Sequence, residues 1–433
     1  MPDTSARPRQ AVRTAVRHGR QRRSSGWRGA LSVLAGVLTV AVVGGGGVAA
    51  YAYFDLAAEM KPTVELVGAA GERVPDIDAI DGGVNLLLVG SDSRAGQDPV
   101  FGGEAETGIL NDVTMLLHIA QDHSSATVVS FPRDMFVAIP ACPQEDGVSR
   151  YPARAAQKIN TTLATGGLAC TVATVEKLTG LQIPFAAEVQ FGGVIELSNA
   201  IGGVEVCVAQ GIRDPYTGLD LPAGANNLQG MEALQFLRTR HGVGDGSDLG
   251  RISNQQVFLS ALARKLQDGG TLSDPGTLYG IAKAALGNMR LSSNLAEVNT
   301  MVSIAMALKD IPRDRLLFVQ YPNEVGSIAG SSGVLPLRTE AEQLMAALRT
   351  DQPIALTGGT GVGSMTQDSE AGASTPDLGD PATPEAGAPA APVDPASPIP
   401  PGATPPPATG LVLPGTVFGQ TAGDVTCSAG NAR

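Results

Sequence analysis

Residues 84–94 of this 433-residue chain read Val84-Asn85-Leu86-Leu87-Leu88-Val89-Gly90-Ser91-Asp92-Ser93-Arg94. A short apolar run of this kind is typical of a strand that is buried on both faces. Further strands are predicted at 113–119, 126–131, 203–208 and 315–320. Helical patterns are predicted at 170–179, 191–201, 231–238 and 254–267. This succession predicts an α/β fold, in which a single layered α-β-α domain is built around a central mixed sheet.

The composition divides the chain into five predicted regions. They are a cytoplasmic basic tail at 1–29, a transmembrane helix at 30–53, a linker at 54–83, an extracytoplasmic domain at 84–350, and a Pro/Ala/Gly-rich tail at 351–433. The last region cannot bury enough apolar area to offset its conformational entropy, so we expect it to be disordered. Its apolar patch at 411–413 and Cys427 are candidates for docking back onto the domain.

Residues 30–53 carry no charge and form an apolar run of about 20 residues, which is enough to span a bilayer as a helix. Eight arginines precede Ala30, against the single acid Asp3, so the N-terminus is predicted to stay in the cytoplasm. The chain is then a single-pass protein of the cell membrane with its domain outside. A signal peptide cleaved near 49–52, where small residues gather, is the alternative.

The four cysteines all follow the predicted membrane segment, at Cys142, Cys170, Cys207 and Cys427. Disulfides persist outside the cell, and four cysteines allow three pairings. One of these joins Cys142 to Cys170 and Cys207 to Cys427, while four free buried thiols are a further possibility. The absence of a CxxC spacing argues against a zinc site.

Charged side chains stand at the predicted strand ends. Asp92 and Arg94 follow the first strand, Asp112 precedes the second, and Arg133 follows the third. In α/β sheets such ends collect ligand-binding groups, and two carboxylates together with phosphate oxygens suit Mg²⁺. The simpler alternatives are a turn cap for each aspartate and a structural salt bridge between Arg133 and Asp134.

A second charged stretch runs from Leu237 to Gln256 and contains Arg238, Arg240 and Arg251 around a glycine-rich turn. If the segment is extended, Arg238 and Arg240 point to the same face, and guanidinium forks match phosphate oxygens. The segment therefore predicts an anion-binding site, with a solvated salt-bridged loop as the alternative. No Gly-x-Ser-x-Gly motif supports a covalent nucleophile, and His118 is interpreted as a packed core histidine.

Six ordered blocks carry a family resemblance: 85–94, 111–115, 129–134, 158–160, 201–204, and 236–240 continued by Gly250-Arg251 and Gln255-Gln256. Through them the chain resembles the LytR-CpsA-Psr proteins, particularly the actinobacterial ones. The resemblance covers about residues 84–267. One departure is Leu110, where many members have arginine two residues before the aspartate that matches Asp112.

The resemblance implies a Mg²⁺-dependent phosphotransferase that moves a glycopolymer from a polyprenyl-pyrophosphate carrier to the muramic acid of peptidoglycan. It implies that Asp92 and Asp112 hold the metal and that an apolar cavity between sheet and helices takes the prenyl tail. The implied pyrophosphate-binding residues are Arg94, Arg133, Arg238, Arg240, Arg251 and Gln255. The implied catalytic residues are Asp92, Asp112, Arg133 and Arg240.

The alternatives are a polyprenyl-pyrophosphate phosphatase and a non-catalytic regulatory or binding protein of the envelope. The acidic outer part argues against nucleic-acid binding.

Overall fold

A computed structural model describes the chain at residues 26–66, 83–94, 109–144, 149–268, 271, 274–367 and 410–431. Many side chains of residues 26–59, and the side chain of Val298, lie outside this description. The chain divides into two compact units, Met1–Ala58 and Glu59–Arg433.

The helices of the described residues are α1 (Gly26–Glu59), α2 (Thr162–Thr179), α3 (Phe191–Ala200), α4 (Met231–Arg238), α5 (Asp248–Gln267), α6 (Pro275–Asn288), α7 (Val298–Asp310) and α8 (Arg338–Arg349). The strands are β1 (Val84–Ser91), β2 (Asn111–Ile119), β3 (Ala126–Phe131), β4 (Phe136–Ile139), β5 (Cys142–Pro143), β6 (Arg150–Tyr151), β7 (Arg154–Lys158), β8 (Phe185–Val189), β9 (Val204–Val208), β10 (Ile212–Asp214), β11 (Leu219–Leu221), β12 (Gly224–Leu228), β13 (Met289–Leu291), β14 (Leu316–Gln320), β15 (Asn323–Ile328), β16 (Ser331–Pro336), β17 (Ile354–Leu356), β18 (Ser364–Thr366), β19 (Leu411–Leu413), β20 (Gly419–Thr421) and β21 (Thr426–Ser428).

Helix α1 contains the segment 30–53 that the sequence predicts to cross a membrane. Among the described residues, no helix combines the length and the apolar composition that a membrane crossing requires. The basic tail at 1–25 and many side chains of 30–53 lie outside the described residues. The membrane span therefore stays a prediction.

A mixed seven-stranded sheet forms the centre of the second unit, with the strand order β13-β8-β1-β2-β3-β14-β20. The pairs β1–β8 and β3–β14 are parallel, and the other neighbours are antiparallel. Because β2 runs against β1 and β3, its beginning lies at the same sheet edge as their ends. The predicted mixed α/β architecture is confirmed, and this edge carries the charged residues singled out from the sequence.

The central strands are apolar on both sides because both faces of the sheet are covered. On one face Leu87, Leu116 and Val129 belong to a large core that α2 and α8 complete. On the other face the strands lie beside α3, α4 and α5, and a cavity lies between the sheet and these helices. Burial on both faces explains why β1 is a nearly unbroken apolar run and not an alternating one.

A smaller four-stranded sheet, ordered β12-β9-β21-β18, packs with α4 and α5 around a second core. It contains the strand predicted near 203–208, which is β9 and does not belong to the central sheet. Strands β18 and β21 come from the predicted disordered tail. Strand β20 from the same region completes the central sheet beside β14.

The prediction that the tail is disordered from residue 351 onwards is therefore wrong at both of its ends. Residues 354–366 contribute β17 and β18, and residues 411–428 contribute β19, β20 and β21. Strands β20 and β21 pair with β14 and β9 of the domain, and β17 and β18 pair in turn with β19 and β21. Leu413 and Val417 are buried in the main core. Docking of the 411–413 patch is confirmed, whereas residues 368–409 lie outside the described part.

His118 is a packed histidine, as the sequence analysis interpreted it, and it is 3% exposed. Its ring nitrogens lie 2.9 Å from Asn85 Oδ1 and 3.0 Å from Asp351 Oδ1. Hydrogen bonding to His118 is the main cause that lowers the pKa of Asp351, against the effect of burial. The contact ties the beginning of the C-terminal region to the sheet.

The cysteines form two disulfides, Cys142–Cys170 and Cys207–Cys427. The first closes a separation of 28 residues in the main core, and the second closes 220 residues between neighbouring parallel strands β9 and β21. Of the three pairings that the sequence leaves open, this is the one that ties the C-terminal region to β9.

We expect the double substitution Cys207→Ala/Cys427→Ala to lower the free energy of unfolding by about 2–5 kcal/mol, since this bond closes a very long loop. The measurement is urea unfolding of the purified second unit, with the Cys142→Ala/Cys170→Ala variant for comparison. An unchanged unfolding midpoint in Cys207→Ala/Cys427→Ala would show that the C-terminal strands stay paired without the disulfide.

Candidate active site

Asp92 stands where β1 leaves the sheet, at an irregularity in its pairing with β2. The register shifts between Gly90 and Ser91, and the Asp92 backbone N–H donates to the Leu110 carbonyl at 3.1 Å. The Asp92 carboxylate in turn accepts a 2.6 Å hydrogen bond from the Leu110 N–H. Burial is the largest cause that raises the pKa of Asp92. The Leu110 hydrogen bond and Arg133 oppose the rise, and the negative charge of Asp112 adds to it.

Asp112 is the second residue of β2 and is contacted by two arginines from other parts of the chain. Arg133 Nη1 forms a short charged contact with Asp112 Oδ1, and Arg251 Nη2 donates to the Asp112 carbonyl at 2.6 Å. Burial alone would lower the pKa of Arg133, but its pairing with Asp112 and the nearby Asp248 raises it. Arg133 therefore remains charged beside the acidic pair.

Arg251 is the most deeply placed of these cations, with 4% of its surface exposed. Its Nη2 lies 2.6 Å from Asp248 Oδ1, close enough for an ion pair although the two atoms are not aligned as a hydrogen bond. The pKa of Arg251 is lowered mainly by burial, and the positive charges of Arg133 and Arg240 act in the same direction. The Nε atoms of Arg133 and Arg251 are buried without a hydrogen-bond partner. Such donors favour an anion at this place.

Arg238 and Arg240 do not lie in one extended segment, which was the condition for a shared face. Arg238 is the last residue of α4, as the predicted helix at 231–238 has it, and the helical backbone ends at Thr239. The guanidinium of Arg238 lies 4.3 Å from the centre of the Phe191 ring, a cation–π contact that orients it. Burial lowers the pKa of Arg238; among the nearby charges Asp112 raises it, whereas Arg94 and Arg251 lower it further. This places Arg94 and Arg238 in one electrostatic cluster with Arg251.

Arg240 is half-buried, and its backbone is fixed by a buried acid that the sequence analysis did not identify. Asp214 Oδ2 accepts hydrogen bonds from Thr239 Oγ1 at 2.6 Å and from the Arg240 N–H at 3.3 Å. Burial alone would raise the pKa of Asp214, but these hydrogen bonds and one from the Tyr216 N–H lower it. An aspartate followed four residues later by Gly-Leu is a turn pattern from which the sequence could have indicated this short hairpin.

The glycine-rich turn ends sooner than the sequence predicts, because α5 begins at Asp248 and not near Asn254. Ser247 caps this helix, and its hydroxyl accepts the Gly250 N–H at 3.2 Å. Arg251 consequently lies in the first turn of α5. Gln255, one turn later, donates from Nε2 to the Leu237 carbonyl at 2.9 Å. The amide nitrogen of Gln255 thus supports the end of α4.

An apolar cavity of about 180 Å³ lies between the sheet and α3, α4 and α5. Leu88, Met115 and Val194 are among its apolar lining residues, and the charged residues on its wall are Asp112, Arg238 and Arg251. The structure thus places cationic groups at the wall of an apolar cavity. This arrangement suits a molecule with an apolar chain and an anionic head.

All the residues predicted to form the site come from the same sheet edge and the adjoining end of α4 and beginning of α5. The contacts and electrostatic interactions above join Asp92, Asp112, Arg94, Arg133, Arg238, Arg240 and Arg251, and Gln255 lines the same cavity. Their roles in chemistry stay predictions. Asp248 and Asp214 are supporting residues that the sequence did not predict.

The LytR_cpsA_psr family model matches residues 55–350 of the chain, which is more than half of its length. The chain belongs to the LytR-CpsA-Psr family. It is 30% identical over 289 residues to the cell wall biosynthesis protein LcpA of Corynebacterium glutamicum, covering 60% of this chain and 54% of LcpA. The chain thus spans about half the length of that relative.

The polyisoprenyl-teichoic acid–peptidoglycan teichoic acid transferase TagT of Bacillus subtilis is 26% identical over 314 residues, covering 70% of this chain and 89% of TagT. A solved structure of a Streptococcus agalactiae protein aligns with a TM-score of 0.50 at 19% identity, over 62% of this chain and 87% of that one. At this identity the structural likeness speaks for the fold alone.

Leu110 is the departure from the LytR-CpsA-Psr pattern that the sequence predicts beside the site. Both backbone groups of Leu110 bond to Asp92, so the residue still positions the carboxylate. Its side chain brings no positive charge. Arg133 contacts the carboxylate of Asp112 from β3's end and supplies a cation there.

Proposed function

We propose that this chain is a membrane-anchored phosphotransferase, which moves a glycopolymer from a polyprenyl-pyrophosphate carrier to the muramic acid of peptidoglycan. The observation that carries the proposal is an apolar cavity with Asp112, Arg238 and Arg251 on its wall. Asp92 and the other site arginines interact electrostatically with these three residues. The cationic side chains can bind the pyrophosphate head of the carrier, and the apolar cavity can bind its prenyl chain. The name of TagT, which acts on a polyisoprenyl-linked polymer, supports the same substrate class.

In the proposed reaction the acceptor hydroxyl attacks the phosphorus next to the sugar. The new P–O bond forms as the bond to the second phosphate breaks, and polyprenyl phosphate leaves. Negative charge then increases on the bridging and equatorial oxygens, which Arg238, Arg240 and Arg251 would stabilise. Arg133 keeps Asp112 neutralised, which leaves Asp92 as the better acceptor for the proton of the hydroxyl.

The two aspartates fit a magnesium ion. Both offer hard oxygen donors, and burial of Asp92 near the charge of Asp112 raises its pKa, as expected where a cation is favoured. Within the described residues no group of three or more His, Cys, Asp or Glu side chains is arranged to hold a metal. The protein would therefore supply two carboxylates, and the substrate phosphates and water the rest. When bound, Mg²⁺ would offset charge on the transferring phosphate.

We propose that residues 30–53 anchor the protein in the cell membrane, with the N-terminus in the cytoplasm and the second unit outside. The support is the charge-free apolar run after eight arginines. Among the side chains of α1 that are described, Leu31, Leu34 and Val37 are all exposed. Exposed apolar side chains along a helix are expected where lipid surrounds it. The two disulfides also suit an oxidising compartment.

The test is incubation of the purified protein with a synthetic polyprenyl-pyrophosphate-linked oligosaccharide, peptidoglycan fragments and MgCl₂, followed by mass spectrometry. A phosphodiester conjugate with release of polyprenyl phosphate is expected. Release of phosphate without conjugate would identify a phosphatase instead. Neither product, with no prenyl lipid co-purifying, would favour a regulatory or binding protein.

A further inference from the structure

Residues 426–431 contact the glycine-rich turn and the first half of α5 beside the proposed site. Strand β21 lies between β9 and β18 in the smaller sheet, and Cys427 is bonded to Cys207. Thr426, Cys427 and Ser428 are at most 1% exposed. We call residues 426–431 the C-terminal strap, and residues 237–251, which carry three of the site arginines, the arginine segment.

The strap contacts the arginine segment at its glycine-rich turn through the main chain. The Gly244 N–H donates to the Ala429 carbonyl at 2.9 Å, and the Asn431 N–H donates to the Gly242 carbonyl at 3.0 Å. Val243 and Gly430 form an antiparallel bridge between these bonds. The turn between Arg240 and α5 is therefore held as a short strand pair.

A second contact reaches the end of α4 through side chains. Ser428 Oγ donates a short hydrogen bond to Asn254 Oδ1, and Asn254 Nδ2 donates to the Phe236 carbonyl at 2.7 Å. Carbonyls in the last turn of a helix have no partner within the helix. The Ser428 hydroxyl fixes the orientation of the Asn254 amide, so that its nitrogen faces the turn that ends in Arg238.

From these contacts we infer that the C-terminal strap positions the arginine segment. Ser428 and Asn254 are positioning residues for Arg238. The turn at Gly244 supports Arg240. The inference rests on the proposed function for the identity of the bound anion. The strap thus acts on residues far from it in the sequence, since Ser428 and Asn254 are 174 residues apart. Neither Ser428 nor Asn254 touches the substrate in this account.

The chain offers a matched control on the same strand. Thr426 Oγ1 is buried without a hydrogen-bond partner, so Thr426→Val removes from β21 a hydroxyl that makes no hydrogen bond. Ser428→Ala removes the hydroxyl that binds Asn254. Asn254→Asp keeps an acceptor for Ser428 but places an oxygen opposite the Phe236 carbonyl, which breaks only the second link.

The experiment measures steady-state transfer from the lipid-linked donor, thermal melting, and amide hydrogen exchange of the full chain. For Ser428→Ala and Asn254→Asp we expect the KM for donor to rise about fivefold, roughly what one hydrogen bond of ordinary strength is worth. We expect the Gly244 and Thr239 amides to exchange faster in Ser428→Ala than in the wild type. Thr426→Val is expected to match the wild type in both respects.

A purely structural role for the strap would lower the melting temperature and the amount of active protein but leave KM unchanged, and that result would overturn the inference. Equal effects of Ser428→Ala and Thr426→Val would overturn it too. If the wild type neither transfers nor binds farnesyl pyrophosphate, the proposed function fails instead. In that case the amide exchange rates still test the inference. Unchanged exchange at Gly244 and Thr239 in Ser428→Ala would show that the strap does not position the arginine segment, whatever the ligand is.

Discussion

Replacing Arg251 by alanine is expected to reduce transfer about a hundredfold or more and to destabilise the domain. The activity falls because a preorganised cation is lost where phosphate charge develops. The stability falls, by about 3–5 kcal/mol, because the buried Asp248 loses its ion-pair partner and the Asp112 carbonyl loses its donor. Kinetics at matched folded protein and urea unfolding measure the two effects separately.

Two further variants sharpen this experiment. Arg251→Lys keeps the charge but cannot contact Asp112 and Asp248 with one planar group, so it should recover part of the stability and little of the activity. Arg213→Ala is the matched control, since Arg213 is 82% exposed and its nearest Asp220 oxygen is 3.9 Å away. It should change neither quantity. Wild-type transfer by folded Arg251→Ala would remove Arg251 from the proposed site.

The sequence predicts the central elements well where local pattern and burial agree. The bounds of β3 and α4 match the predicted ranges, because an apolar strand buried on both faces and an amphipathic helix are visible in short windows. The sheet edge that carries Asp92, Asp112 and Arg133 was also predictable, because their strands are consecutive in sequence. Consecutive strands pair more often than not.

The other supports of the site depend on contacts between residues far apart in the chain. Ser428 and Asn254 are 174 residues apart, and no local pattern connects them. The strap is preceded by a long proline-rich segment, whose composition hides the three short strands that follow it. Arg238 illustrates a different difficulty, since a two-residue spacing indicates a shared face only if the backbone is extended.

Asp92→Asn is expected to reduce transfer about a hundredfold or more while leaving the fold intact. The substitution removes the negative charge, which the proposed roles in holding Mg²⁺ and accepting a proton both require. An asparagine oxygen can still accept the Leu110 N–H, so the irregular end of β1 should keep its geometry. Asp122→Asn is the matched control, because Asp122 is an exposed aspartate that accepts the Ser124 N–H in a turn.

The pH dependence separates a charge effect from a packing effect at Asp92. Its pKa is raised in the folded state, by burial first and with the charge of Asp112 adding to the rise, so ionisation costs more in the folded than in the unfolded chain. Wild type should therefore lose stability relative to Asp92→Asn as the pH rises through this pKa, and the difference should vanish in acid. If the aspartates hold Mg²⁺, the ion should restore the lost stability in wild type alone. Thermal melting between acid and neutral pH, with and without MgCl₂, measures this. Lower stability of Asp92→Asn at neutral pH would instead make the carboxylate a structural group.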